Sequence, residues 1–303
     1  ADLHADATVL FKPAQAFRVR TPSFTGTPLP KDEPMAANPP DGAYIDYALP
    51  HSVRGPVALD VLDAQGRLVR SYSSNDKPPM LDPAKLAYAP EWVPRPIRLV
   101  TTPGMHRFVW DLHCTAPAGI ESEQGPAQGV WAPPGAYSVV LHVDGKSYRQ
   151  PLQLLPDPRV KVSVDAMRRE FALARQVEGA QVRAAAASAK ASKLLKALDA
   201  RLPQSGNQLH AQIEALIGNT QDLSGVVLHP DPRNSMGSPP QNTGSLRALS
   251  MNLAKLEQAV DGADADPSAD AQSAWTLLSQ TLDTTLASWD QLQQNGLGKL
   301  NDS

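Results

Sequence analysis

A chain of 303 residues can hold two domains of ordinary size, each burying its own core. Apolar residues make up 42% and charged residues 19%, an ordinary globular balance, while 29 prolines are about twice the usual share and imply extended segments and sharp turns. The formal charge of −3 excludes a general attraction to nucleic acid, the single cysteine, Cys114, excludes an internal disulfide, and no apolar run reaches the roughly 18 residues that span a bilayer.

In chain order, residues 1–42 read as an extended, proline-rich linker. Val9, Leu10, Phe11, Phe17 and Val19 give it apolar groups, whose cover is expected from outside this chain. No secretory leader is seen, and the start at Ala1 reads as a processed chain or a fragment.

Residues 43–158 alternate apolar and polar with period two in short runs, which predicts strands at Ala43–Leu49, Val57–Leu62, Arg67–Tyr72, Ile97–Val100, Met105–Leu112, Tyr137–Val143 and Ser147–Leu154. Asp63 to Gly66 and Asp144-Gly145 are the turns of two close hairpins, with glycine where positive φ is needed. Seven short strands separated by turn signals predict an immunoglobulin-like antiparallel β-sandwich.

At "LLPDPRV", residues 154 to 160, the period changes to three and four, and residues 159–303 predict an antiparallel helical bundle. Ser163 is the expected N-cap of a helix reaching about Arg201. Its stripe of Leu173, Val177, Ala180, Ala184, Ala187, Ala191, Leu194 and Leu198 invites close approach by a neighbour. A short helix is expected at about Leu209 to Ile217 and a longer one through Leu246, Leu249, Leu253, Leu256 and Val260. A last helix opens at Asp266-Pro267 and carries Trp275, Leu278, Leu282, Trp289 and Leu292. Residues 218–243 form a long connection without sustained period.

The most metal-like stretch is "GMHRFVWDLHC", with His106, Asp111, His113 and Cys114. Strand alternation sends the two histidines to opposite sides, so the expectation is a core strand with polar rims and Trp110 inside. Trp92, Trp131 and Tyr88 are the candidate contacts for a glycan or a partner protein, since flat rings stack on sugar faces. Paired carboxylates for glycoside chemistry come together only in space; Asp41, Asp46, Asp60, Asp63 and Asp111 are otherwise turn and rim residues. No nucleophile elbow, phosphate loop or dinucleotide fingerprint is present. No residue is therefore assigned a catalytic, cofactor-binding or metal-binding role. The basic residues of the first long helix, from Arg168 to Lys196, either bind phosphate or complement acids of the later helices, and the second is favoured.

"LFKPAQAFRVR" (residues 10–20), "NPPDGAYIDYAL" (38–49), "DAQGRLVRSYSS" (63–74), "PGMHRFVWDLH" (103–113), "PPGAYSVVLHVDGKSYRQPLQLLPDPR" (133–159) and "DADPSADA" (264–271) follow one another in that order. The set resembles the C-terminal region of large bacterial sortilin-like proteins with BNR-type propeller repeats, often labelled glycosyl hydrolases. The strand, "DAQGR" turn, strand unit is also similar to the immunoglobulin-like domain of flagellar hook-capping proteins. The resemblance implies a non-catalytic accessory and interaction region, with residues 1–42 docking on an upstream propeller. It also implies an extracytoplasmic location and, as alternatives, part of a glycoside hydrolase or a glycan-binding module. Expected partners are that propeller, another protein or a polysaccharide, with no nucleic acid, no membrane insertion and no cofactor. The S-x-D-x-G-x-T-W boxes of the propeller do not occur here, so no functional residue carries over.

Overall fold

The computed structural model describes residues 7–20, 39–50, 53–77, 98–120, 128–229 and 242–301. The chain divides into two compact units, the first of residues 1–117, 121–171 and 263–266, the second of 118–120, 172–262 and 267–303.

The first unit is built on two sheets. One has the order β1 (Val9–Leu10), β3 (Ala43–Leu49), β6 (Gly104–Trp110) and is antiparallel. The other has the order β2 (Ala16–Arg18), β8 (Lys146–Pro156), β7 (Gly135–Val143), β4 (Ala58–Asp63), β5 (Leu68–Ser73). It is mixed, because β2 runs parallel to β8, Ala16 opposite Leu154. One core draws on both sheets: Ile45, Phe108 and Trp110 from one, Leu59, Leu141 and Leu154 from the other.

These findings overturn the expected immunoglobulin-like antiparallel sandwich followed by an antiparallel helical bundle. The described chain is a mixed α/β arrangement of a three-stranded sheet, a five-stranded mixed sheet and four α-helices. The physical reason lies in β1 and β2. Both fall in the stretch read as linker, both are too short to display a period, and a parallel pairing with β8 leaves no hairpin signature in sequence. Leu10 and Ala16 are covered by the chain itself, with 4% and 6% exposure. A further expected strand, Ile97–Val100, is absent over its described part. Residues 98–100 are irregular, and Val100 instead exchanges two hydrogen bonds with the Tyr47 hydroxyl.

The β4–β5 hairpin forms for the reason its sequence suggests. Asp63 Oδ1 accepts from the backbone N–H of Gln65 and of Arg67 at 2.9 and 2.8 Å, and Gly66 takes φ of 77°. Gly42 shows a stricter requirement. Its φ is 135°, and a Cβ there would sit 2.2 Å from the Trp110 carbonyl oxygen, a backbone atom that cannot yield without disturbing the β3–β6 pairing. Gly42→Ala is expected to destabilise the first unit by more than about 1 kcal/mol, checked by urea denaturation; an unchanged midpoint contradicts this.

The helices are α1 (Val164–Arg201), α2 (Asn207–Ser224), α3 (Leu246–Val260) and α4 (Ala269–Asn301). Ser163 caps α1, its hydroxyl accepting from Ala166 N–H at 3.1 Å, and Ser245 caps α3 through Ala248. For α4 the cap is Ser268, bonded by Ala271 N–H, two residues beyond the expected Asp266. The apolar stripe of α1 is buried as read, except that Leu195 rather than Leu194 is fully covered. No helix among the described residues is long and apolar enough to cross a membrane.

Candidate functional site

The stretch expected to look most like a metal centre is structural. His106 lies on β6, its Nε2 2.6 Å from the Thr102 carbonyl oxygen. Beyond Trp110 the strand ends and Leu112 adopts φ of 63°, so alternation stops before His113 is reached. His113 turns back on its own segment, with Nδ1 2.8 Å from Asp111 O and its carbonyl accepting from Trp110 Nε1 at 3.0 Å. Cys114 is buried. Among the described residues no three His, Cys, Asp or Glu side chains are grouped to hold a metal. Trp110 is wholly buried, as its strand position predicts.

The carboxylates considered for glycoside chemistry are mostly held by neighbours. Asp46 is bound by Arg107 through two bonds of 2.7 and 2.8 Å, and Asp63 by Arg67 and the turn. Asp60 meets His142 Nε2 at 3.0 Å, and Asp111 lies 3.4 Å from the Tyr72 hydroxyl. Asp41 is exposed beside β3.

Of the three candidate contact aromatics, Trp92 and Tyr88 lie outside the described residues. Trp131 is half-buried and bridges to His113 in an isolated antiparallel β-bridge. The His113 ring stands 4.1 Å from the Trp131 ring, and the Arg20 guanidinium lies 5.0 Å from its centroid. Both are intramolecular contacts of the kind a sugar face would otherwise make.

Sequence reasoning missed a buried charged cluster of the first unit. On β2 the alternation is inverted: Arg18 points inward with no exposed surface, while Phe17 is 45% exposed. Arg18 donates to Glu170 Oε1 at 2.9 Å and to the Ala132 carbonyl at 3.4 Å, and stands 3.1 Å from Asp264 Oδ1. Arg20 donates to the same Glu170 oxygen at 2.6 Å and to Asp264 Oδ1 at 2.5 Å. Two guanidiniums thus clasp two carboxylates, and the four groups neutralise one another away from water. Such an arrangement holds elements together; it has no carboxylate left to shuttle a proton. The available signal was the R-x-R spacing of "FRVR", which places both arginines on one side if the segment is a strand.

In the second unit Glu257 on α3 is pushed up to about 7, first by burial and then by the charges of Asp261 and Glu178. Glu178 is itself buried and held by Arg175. Because the folded value lies above the ordinary 4.5, the proton that Glu257 carries stabilises the fold fully below that value, and the contribution fades as pH rises through about 7. Glu257→Gln is therefore expected to raise stability at pH 8 by about 1–2 kcal/mol, after allowing for solvent screening, with little change at pH 4.5. Thermal denaturation of parent and variant at both pH values checks this, and an equal shift at both refutes it. A shallow cleft of about 350 Å³ lies between α2 and α4, lined by Asn219, Asp222, Ser288, Gln291 and Asn295, which supply amides, a hydroxyl and one carboxylate.

Comparison with protein families, with curated proteins and with solved structures finds no match to this chain.

Proposed function

We propose that the chain is a non-catalytic accessory and interaction region, working beside a sortilin-like propeller with BNR-type repeats in an extracytoplasmic setting. The observation that carries the reading is where the candidate reactive groups are spent. His106, Asp111, His113 and Trp131, with Asp46, Asp60 and Asp63, are all engaged by backbone or side chains of this same chain. Engagement of these groups within the chain supports a structural role for them over a reacting one. The sequence resemblance adds the propeller and the location.

The test has two arms. The 303-residue chain is offered chromogenic glycosides, and separately it is mixed with the polypeptide encoded immediately upstream of Ala1. No turnover, together with a complex of micromolar or better affinity with an upstream region carrying S-x-D-x-G-x-T-W boxes, is the expected result. Turnover lost on a single substitution such as Asp60→Asn overturns the non-catalytic reading. An upstream frame without such boxes overturns the propeller assignment.

A further inference from the structure

The basic residues of α1 fall into two groups. Arg169 pairs with Asp266 and Arg183 with Asp283, while Arg168 and Arg175 are met by Asp165 and Glu178 of α1 itself. Complementarity with acidic partners accounts for these four. It does not account for Lys190, Lys193 and Lys196, which are exposed and form no ion pair with a described residue.

Steps of three residues raise successive lysines by about 4.5 Å and keep all three within about 120° of the helix circumference. Alanines 189, 197 and 200 are exposed neighbours of the row, and the taller side chains beside it, Leu194 and Asp199, are half-buried. Residues 190–201 hold four cations, Arg201 included, against one anion, Asp199, which is already met by His229 Nε2 at 3.3 Å. The helix dipole rewards cations only near the C-terminal turn, which explains Arg201 but not Lys190, about three turns earlier.

We propose that this row is a binding surface for a linear acidic polysaccharide, the lysines meeting successive carboxylates along one strand. The whole chain carries −3, which gives it no net attraction to a broad anionic plane such as a lipid surface, whereas a single strand can lie on the row alone. The face offers no aromatic ring on which bases could stack, which disfavours single-stranded nucleic acid. Lysine, a compact point charge on a flexible stem, can follow anionic groups spaced along a strand without the fixed bidentate geometry of the arginine fork. The inference stands independently of the propeller assignment.

The experiment is affinity electrophoresis of the full chain at low salt, about 50 mM, through gels containing polygalacturonate or neutral dextran. Polygalacturonate is expected to retard the protein and dextran to leave it unaffected. Lys190→Gln/Lys193→Gln/Lys196→Gln is expected to weaken the retardation at least about tenfold. Lys146→Gln/Lys161→Gln, which removes two exposed lysines of the first unit, is expected to leave it unchanged. Circular dichroism of the triple variant verifies its helices. No retardation of the parent, or equal retardation of the triple variant, overturns the proposal. Tighter binding to poly(dT) or to phosphatidylglycerol vesicles at equal charge concentration overturns the choice of polysaccharide.

Discussion

Arg18→Ala is expected to lower the free energy of unfolding of the first unit by about 3–5 kcal/mol, the cost of leaving a buried ionic cluster with an excess of negative charge. Glu170 and Asp264 have side-chain exposures of 1% and 4%, and both lie within 3.1 Å of Arg18 Nη2, so neither can recover its hydration when that cation is removed. Arg20 remains, but it already serves the same two oxygens. Chemical denaturation read by amide exchange in β2 and β8 measures the loss locally, which matters in a chain with two compact units. Arg18→Met combined with Glu170→Met removes one charge of each sign and leaves Arg20 facing Asp264. That pair of changes is expected to restore most of the stability. A loss below about 1 kcal/mol for Arg18→Ala shows that the clasp does not hold the fold.

Trp110→Ala is the second large change, expected to cost about 3–5 kcal/mol. The ring is wholly buried, stands edge-on to Tyr137 at 5.4 Å between centroids, and donates its indole N–H to the His113 carbonyl. Removing it opens a void at the centre of the shared core and strips His113, the β-bridge partner of Trp131, of a donor. Trp110→Phe keeps most of the volume and is expected to cost about half as much or less, chiefly through the lost hydrogen bond. Urea midpoints and near-ultraviolet circular dichroism distinguish the two. Equal losses for alanine and phenylalanine would falsify the packing account, because cavity size would then not matter.

Local structure was largely legible in the residues. The Asp63 to Gly66 turn declared the β4–β5 hairpin through an aspartate that folds back on its own backbone, and Asp144, with φ of 47°, and Gly145 turn β7 into β8. Ser163 marked the start of α1 by the same chemistry. These signals act over three or four residues, so one sequence displays them whole. Arrangement was less legible. The parallel partner of β2 lies 138 residues away, between Ala16 and Leu154, and nothing in "AFR" points to it. Burial of Arg18 beside exposure of Phe17 reverses the usual hydropathy assignment, because a guanidinium can enter a core only when carboxylates await it there. Glu170 and Asp264 look like ordinary helix-start and loop acids until the fold brings them together. The cationic row on α1 was visible as charge; its separation from the paired arginines required knowing which acids reach which bases.

The pairing of β2 with β8 and the clasp of Arg20 on Asp264, 244 residues further along, set an order of events for a newly made polypeptide. Loop-closure entropy grows slowly with length, yet it must be met before such distant contacts return any free energy. On the ribosome the β4–β5 and β7–β8 ribbons can close as soon as they emerge, while β2 waits for β8, and Arg18 and Arg20 wait longer still, for Glu170 and then Asp264. Through that interval its exposed Phe17 and uncompensated Arg18 and Arg20 remain within reach of chaperones or of neighbouring nascent chains.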